Sequence, residues 1–61
     1  MEQKNVDVRR AAAEAGVRLW EVAERLGTSD SNFSRKLRKE LSEAEKDKIF
    51  DIIERLKKEA D

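Results

Sequence analysis

The chain has 61 residues, so it is expected to form a single domain over residues 1–61, near the lower size limit for folding without disulfides or metals. It has no cysteine and no histidine, which excludes thiolate metal sites and removes the commonest general base. The net charge is zero, but residues 1–39 carry nine Lys/Arg and six Asp/Glu, or +3, and residues 40–61 carry the compensating −3. This balance argues against very tight binding to nucleic acid, although binding follows the local field of a patch.

Two helices are predicted in the first half of the chain, because apolar residues recur there at i, i+3, i+4 and i+7. Helix 1 is predicted over about residues 6–15, with Asn5 or Asp7 as its cap. Helix 2 is predicted over about residues 18–26, without a good cap, and a glycine follows each helix. The apolar stripes are Val8, Ala11, Ala12 and Ala15 in helix 1, and Leu19, Val22, Ala23 and Leu26 in helix 2.

Two further helices are predicted in the second half. Helix 3 is expected to begin after Ser29, which would cap it, and to end near Glu40. Helix 4 is expected to begin at the capping box Ser42-Glu43-Ala44-Glu45 and to end near Lys58. The apolar stripes are Phe33, Leu37 and Leu41 in helix 3, and Ile49, Ile52, Ile53 and Leu56 in helix 4.

Trp20 and Phe50 stand at the edges of the stripes of helices 2 and 4. Packing of Trp20 at the edge of the core, against helix 4, is the expected arrangement. A dimer contact and a hydrogen bond from the indole N–H to a phosphate are the alternatives, and Phe50 has the same ambiguity. Together the two residues would form an exposed aromatic patch of the kind that marks an interface.

Residues 22–41 have the layout of a helix-turn-helix: an amphipathic helix, a glycine, a polar turn and a helix rich in Arg and Lys. With Val22-Ala23, Leu26-Gly27, Ser29 and Phe33 at the matching places, the chain resembles the lambda-repressor-like (Xre-type) helix-turn-helix family. Among its members it is similar to short DNA-binding proteins of phages and mobile elements. The resemblance covers helices 1 to 3 well and helix 4 loosely. It implies an all-α, compact four-helix domain with a helix-turn-helix in helices 2 and 3, and a C-terminal packing helix.

The chain departs from the family pattern at three places. Arg18-Leu19-Trp20 stands where the family usually has a polar cap and a glutamine that contacts phosphate. Thr28 replaces a usual aliphatic residue after the turn glycine. Lys36 stands where the family usually has a second apolar anchor, and Leu37 is the apolar residue one position later. The expected contact positions on helix 3 therefore shift by about one residue.

Ser31, Asn32 and Arg35 are the candidate base contacts on the outer face of helix 3. The guanidinium fork of Arg35 matches O6 and N7 of guanine, and the amide of Asn32 matches adenine. The structural alternatives are a solvated Arg35 paired with Asp30 or Glu40, and ordinary first-turn chemistry for the other two residues.

The candidate phosphate contacts are basic side chains, which would release counterions without reading sequence, and one hydroxyl at a helix N-terminus. A solvated charged face is the alternative for the basic residues, and a purely structural cap is the alternative for the serine. The candidates are Arg18, Ser29, Lys36, Arg38 and Lys39.

No catalytic constellation, glycine loop or metal spacing occurs, so no enzyme activity, cofactor, metal or small-molecule substrate is expected. The sequence predicts a small transcriptional regulator, or a designed binder, that binds double-stranded DNA, with a homodimer as an expected assembly because one helix reads few base pairs. The alternative is a helical protein–protein interaction module that uses Trp20, Phe50 and helix 4. The absence of His, Cys, Pro and Tyr also fits a redesigned scaffold. No apolar run is long enough to span a membrane, so a cytoplasmic, nucleoid-associated protein is expected.

Overall fold

The fold is all-α in the computed structural model of the chain, which describes residues 4–60. Four helices follow one another: α1 (Val6–Ala15), α2 (Leu19–Leu26), α3 (Asp30–Lys36) and α4 (Glu43–Ala60). The long helix α4 packs against α1 and α2, and α3 packs against α2. This arrangement confirms the predicted all-α four-helix fold.

The core is built from the four predicted apolar stripes. Each stripe contributes two or three residues that are at most 8% exposed, and their half-buried neighbours pack against them. Val17 joins the core from the turn between α1 and α2. The buried apolar residues are Val8, Ala12, Val17, Val22, Ala23, Phe33, Leu37, Leu41, Ile49 and Ile53.

Gly27 makes the sharp turn between α2 and α3 possible. Its φ of 77° lies in the left-handed region, which glycine adopts without the steric cost of a Cβ. Its N–H and that of Thr28 donate to carbonyls of the last turn of α2, with Thr28 N 3.0 Å from Ala23 O. The chain therefore leaves α2 and begins α3 only three residues later.

The start of α2 has a cap that the sequence analysis missed. The Glu21 carboxylate accepts a hydrogen bond from the Arg18 N–H at 3.1 Å. Arg18 occupies the N-cap position, and its guanidinium has no acceptor atom to offer the helix. The acid in the third helical position therefore supplies the capping contact by itself.

The prediction that helix 3 ends near Glu40 was wrong. α3 ends at Lys36, and Leu37 is its C-cap. The Leu37 and Lys39 carbonyls accept hydrogen bonds from the side chain of Asn5, and the Leu41 N–H donates to the same side chain. Leu41 still reaches the core, but from the segment between α3 and α4 rather than from a helical stripe.

The start of α4 agrees with half of the predicted capping box. Ser42 Oγ accepts from the Glu45 N–H at 3.3 Å. The Glu45 carboxylate lies 3.1 Å from Lys36 Nζ, so it forms an ion pair with α3 instead of reaching back to the backbone at Ser42. At its other end α4 continues to Ala60, two residues past the predicted Lys58.

Trp20 and Phe50 have different surroundings. Phe50 is half-buried and packs against the core, beside Ala11 of α1. Trp20 is 50% exposed and is absent from the apolar residues that pack on the core within residues 4–60. The expected packing of Trp20 against helix 4 was therefore wrong. Trp20 lies about 100° round α2 from Leu19, at the edge of the apolar stripe, and half of its side chain stays in solvent.

Candidate nucleic-acid interface

The outward face of α3 follows from its two buried anchors. Phe33 and Leu37 are at most 2% exposed, so they define the direction of the core. Arg35 stands two residues from each of them, about 200° round the helix, and therefore on the opposite side. Ser31 stands two residues before Phe33 and four before Arg35, on the same outer side, and both residues are exposed.

Asn32 lies on the flank of α3 rather than on its outermost face. Asn32 and Lys36 line a crevice of about 260 Å³ between α3 and α4, with Glu45 and Lys48 on the opposite wall. Asn32 is exposed, but it stands only about 100° from Phe33. The three candidate base contacts thus divide into an outer pair, Ser31 and Arg35, and a third residue turned towards α4.

Each end of α3 makes a side-chain contact, a local one at the N-terminus and one to α4 at the C-terminus. At the N-terminus, Ser29 Oγ accepts from the Asn32 N–H at 3.2 Å, so the hydroxyl caps the helix as predicted. At the C-terminus, Lys36 pairs with Glu45 across the crevice, and both side chains are about half exposed. An exposed pair of this kind contributes little to stability, so breaking it costs little free energy.

The remaining basic candidates lie outside α3 and are exposed. Arg18 is the exposed N-cap of α2, and Arg38 and Lys39 are exposed in the segment that follows α3. None of these three residues, nor Arg35, forms an ion pair with another residue in the range 4–60. The predicted alternative of an Arg35–Glu40 pair therefore does not occur in the described part of the chain.

Glu40 is held by other partners. Its carboxylate accepts from the Asn5 N–H at 3.0 Å and pairs with Lys46 of α4. Lys46 Nζ also lies 3.1 Å from the Asp7 carboxylate of α1. The three charged residues form an ion cluster, Asp7–Lys46–Glu40, that ties the start of α1 to α4 and to the segment before it.

The ion cluster lowers the pKa of both acids. Hydrogen bonds from Lys46 hold the pKa of Asp7 below its ordinary 3.8 and the pKa of Glu40 below its ordinary 4.5. The hydrogen bond from the Asn5 N–H lowers the pKa of Glu40 further. Both acids are half exposed, which limits the energetic effect. Their contribution to stability is present above these ordinary values and is lost as the pH falls through the lowered ones.

Acid should therefore weaken the fold in part through this cluster. We expect the melting temperature of the Glu40→Gln variant to fall less steeply than that of the wild type between about pH 5 and pH 3, because glutamine does not titrate. Glu54→Gln, which alters an exposed acid of α4 outside the cluster, is the matched control and should keep the wild-type slope. Parallel curves for Glu40→Gln and the wild type would contradict this role of the cluster.

The role of Asn5 behind this surface was not predicted: its buried side chain binds the segment 37–41. Asn5 was predicted as one of two possible caps of helix 1, and it does occupy the N-cap position, but its side chain makes no capping bond there. Asp7 supplies a local contact instead, since its carboxylate accepts from the Val8 N–H at 3.0 Å. Nothing in the local sequence distinguishes an asparagine that caps a helix from one that binds a distant segment.

The comparisons with known proteins add no relative. No protein-family model matches the chain, and no curated protein and no solved structure matches it significantly. Over residues 4–60, none of the helices combines the length and the apolar character needed to cross a membrane. The same range contains no group of three or more acidic side chains placed to hold a metal ion.

Proposed function

We propose that this domain binds double-stranded DNA, with α3 in the major groove, as a small transcriptional regulator or a designed binder. The observation that carries the proposal is the outer face of α3, where Ser31 and Arg35 stand exposed and Arg35 has no acidic partner within residues 4–60. In such a complex Arg35 donates to O6 and N7 of a guanine, and Ser31 contacts a neighbouring base. Asn32 reaches a base edge only from the flank of the helix.

The phosphate contacts of the proposed complex come from residues before α2, in α3 and after α3. Arg18 at the start of α2 would bind one stretch of backbone, and Arg38 and Lys39 after α3 would bind another. Lys36 would also bind a phosphate, once its ion pair with Glu45 is broken. Ser29 contributes through its hydroxyl hydrogen, because its oxygen already accepts from Asn32.

The small size of α3 bears on the assembly. A seven-residue helix is only about 10 Å long, so it spans about three base pairs. A natural version would therefore act as a homodimer on a pseudo-palindrome or within a larger complex. A half-exposed Trp20 is available on α2 for such a contact.

The same Trp20 supports the second candidate function, a helical protein–protein interaction module. Trp20 is one of two large apolar residues in the range 4–60 that are strongly exposed, and tryptophan is enriched at the energetic centres of interfaces. Phe50 fits this role less well, because it is half-buried on the side of α4 that faces α1. In this alternative the basic residues near α3 only keep the protein in solution.

Salt dependence separates the two functions. Selection from a random DNA library should enrich one motif, and its affinity should fall roughly a hundredfold between about 50 and 200 mM salt if four phosphates are neutralised, at about 0.9 ions per phosphate. Lys39→Ala should lower the salt slope by about one unit. An enriched motif together with this slope supports the proposal.

The matched control is Lys58→Ala, which removes the same charge from the last turn of α4. Lys58 lies about 15 Å along the helix axis from Lys48, which lines the crevice beside α3. The affinity and slope of this variant should equal those of the wild type. Absence of a motif, with binding that is weak or indifferent to salt, would contradict the proposed function. Self-association that is lost in Trp20→Ala would then favour the interaction module.

A further inference from the structure

We infer that Asn5 is a positioning residue for DNA binding, because it fixes the path of the segment 37–41, which carries Arg38 and Lys39. This inference rests on the proposed function, since it concerns how two of the proposed phosphate contacts are held. Asn5 itself is 0% exposed and cannot touch DNA. Its role is therefore exerted through the segment that it binds.

Both ends of the Asn5 amide bind this segment. Asn5 Nδ2 donates to the carbonyls of Leu37 and Lys39, both at 2.9 Å, and Oδ1 accepts from the Leu41 N–H at 2.9 Å. These contacts join residues 32 to 36 positions apart in the chain. The amide of Asn5 thus binds two carbonyls and one N–H of the backbone. In a continuing helix, these groups would be bonded to other backbone groups.

The backbone of Asn5 holds the same segment. Its N–H donates to Glu40 Oε1 at 3.0 Å, and Lys46 holds the other oxygen of that carboxylate. Asn5 has φ 58° and ψ 40°, a left-handed conformation that asparagine adopts more easily than other residues with a Cβ. Only asparagine combines this conformation with two side-chain donors and one acceptor at this reach, since aspartate lacks the donors.

The geometry explains why the chain turns after α3 and does not continue as a helix. The Leu37 carbonyl is bound to Asn5, so the backbone that follows is directed by a tertiary contact. Arg38 and Lys39 are then presented beside the last turn of α3, both exposed and without ion pairs among residues 4–60. A segment that is ordered before binding loses less conformational freedom when it meets a phosphate.

Asn5→Gly tests the inference, because glycine keeps the left-handed backbone and removes all three side-chain bonds. Two quantities are measured on the full chain, under conditions where circular dichroism shows it folded. Amide hydrogen exchange at Leu41 should become at least about tenfold faster, since its partner is gone. The slope of log affinity against log salt, on the selected DNA, should fall by about one to two units.

Two controls separate positioning from general stability. Val8→Ala truncates another fully buried residue of α1 and should leave the salt slope unchanged. In the Arg38→Ala/Lys39→Ala background, adding Asn5→Gly should not lower the slope further. If Asn5→Gly does not fold, Asn5→Asp replaces it and only the salt slope is compared, because aspartate still accepts from Leu41 but donates to neither carbonyl.

Unchanged exchange at Leu41, or an equal slope in Asn5→Gly and the wild type, would overturn the inference. An equal loss of slope in Val8→Ala would also overturn it, because the effect would then follow stability. If the wild type binds no DNA, the proposed function fails, and exchange at Leu41 still decides whether Asn5 holds the segment.

Discussion

Phe33→Ala should lower the free energy of unfolding by about 3–5 kcal/mol, the range found for truncation of buried aromatic side chains. Phe33 is 1% exposed and is the anchor by which α3 packs on the rest of the domain. Small domains have only about 5–15 kcal/mol in total, so this loss would leave a large part of the protein unfolded near physiological temperature. Urea unfolding followed by circular dichroism measures the change.

Phe33→Leu is the matched control, because it keeps most of the buried volume and should cost less than about 1.5 kcal/mol if the core repacks. Trp20→Ala is a second control, since half of that side chain is already in water and its removal should matter much less. A Phe33→Ala variant that melts close to the wild type would mean that α3 is oriented differently. The assignment of Arg35 to the outer face would then fail with it.

Arg35→Ala should weaken binding to the selected DNA site by about 1–3 kcal/mol and relax the preference at one base position. The reason is that a guanidinium fork makes two hydrogen bonds to a guanine that no other base reproduces. Repeating the library selection with the variant measures the change in specificity. A titration on the wild-type site measures the change in affinity.

Arg38→Ala is the comparison for this experiment. It removes the same type of side chain from the segment after α3 and should weaken binding about equally for all sequences. Arg35→Ala should leave stability nearly unchanged, because Arg35 is exposed and makes no ion pair in the described range. Unchanged affinity and an unchanged motif in Arg35→Ala would exclude Arg35 from base reading.

Much of the fold was predictable because the signals involved are local. The i, i+3, i+4 spacing of apolar residues predicted the buried faces of the helices, although Leu41 joins the core from outside α3. The bounds of α1 agree with the prediction at both ends. Ser29 and Ser42 cap the helices that they were predicted to cap. Each of these features depends on residues within one helical turn of each other.

The candidate site was predictable only in part. The sequence identified Ser31 and Arg35 as outward residues from their spacing relative to Phe33, and both are exposed. Asn32 was assigned to the same outer face, but it lines the crevice towards α4. Its neighbours in that crevice, Glu45 and Lys48, are more than twelve positions away in the chain, and helical spacing carries no information about them.

The sequence by itself determined the number of helices, their apolar faces and most of their starting points, because hydrophobic periodicity and capping act over three or four residues. Only the tertiary structure decided where α3 ends, how Arg38 and Lys39 are presented, and that Trp20 stays half exposed. The segment that follows α3 is bound by hydrogen bonds from Asn5, more than thirty residues earlier. A local pattern cannot predict such contacts, because they exist only once α1 and α4 have packed together.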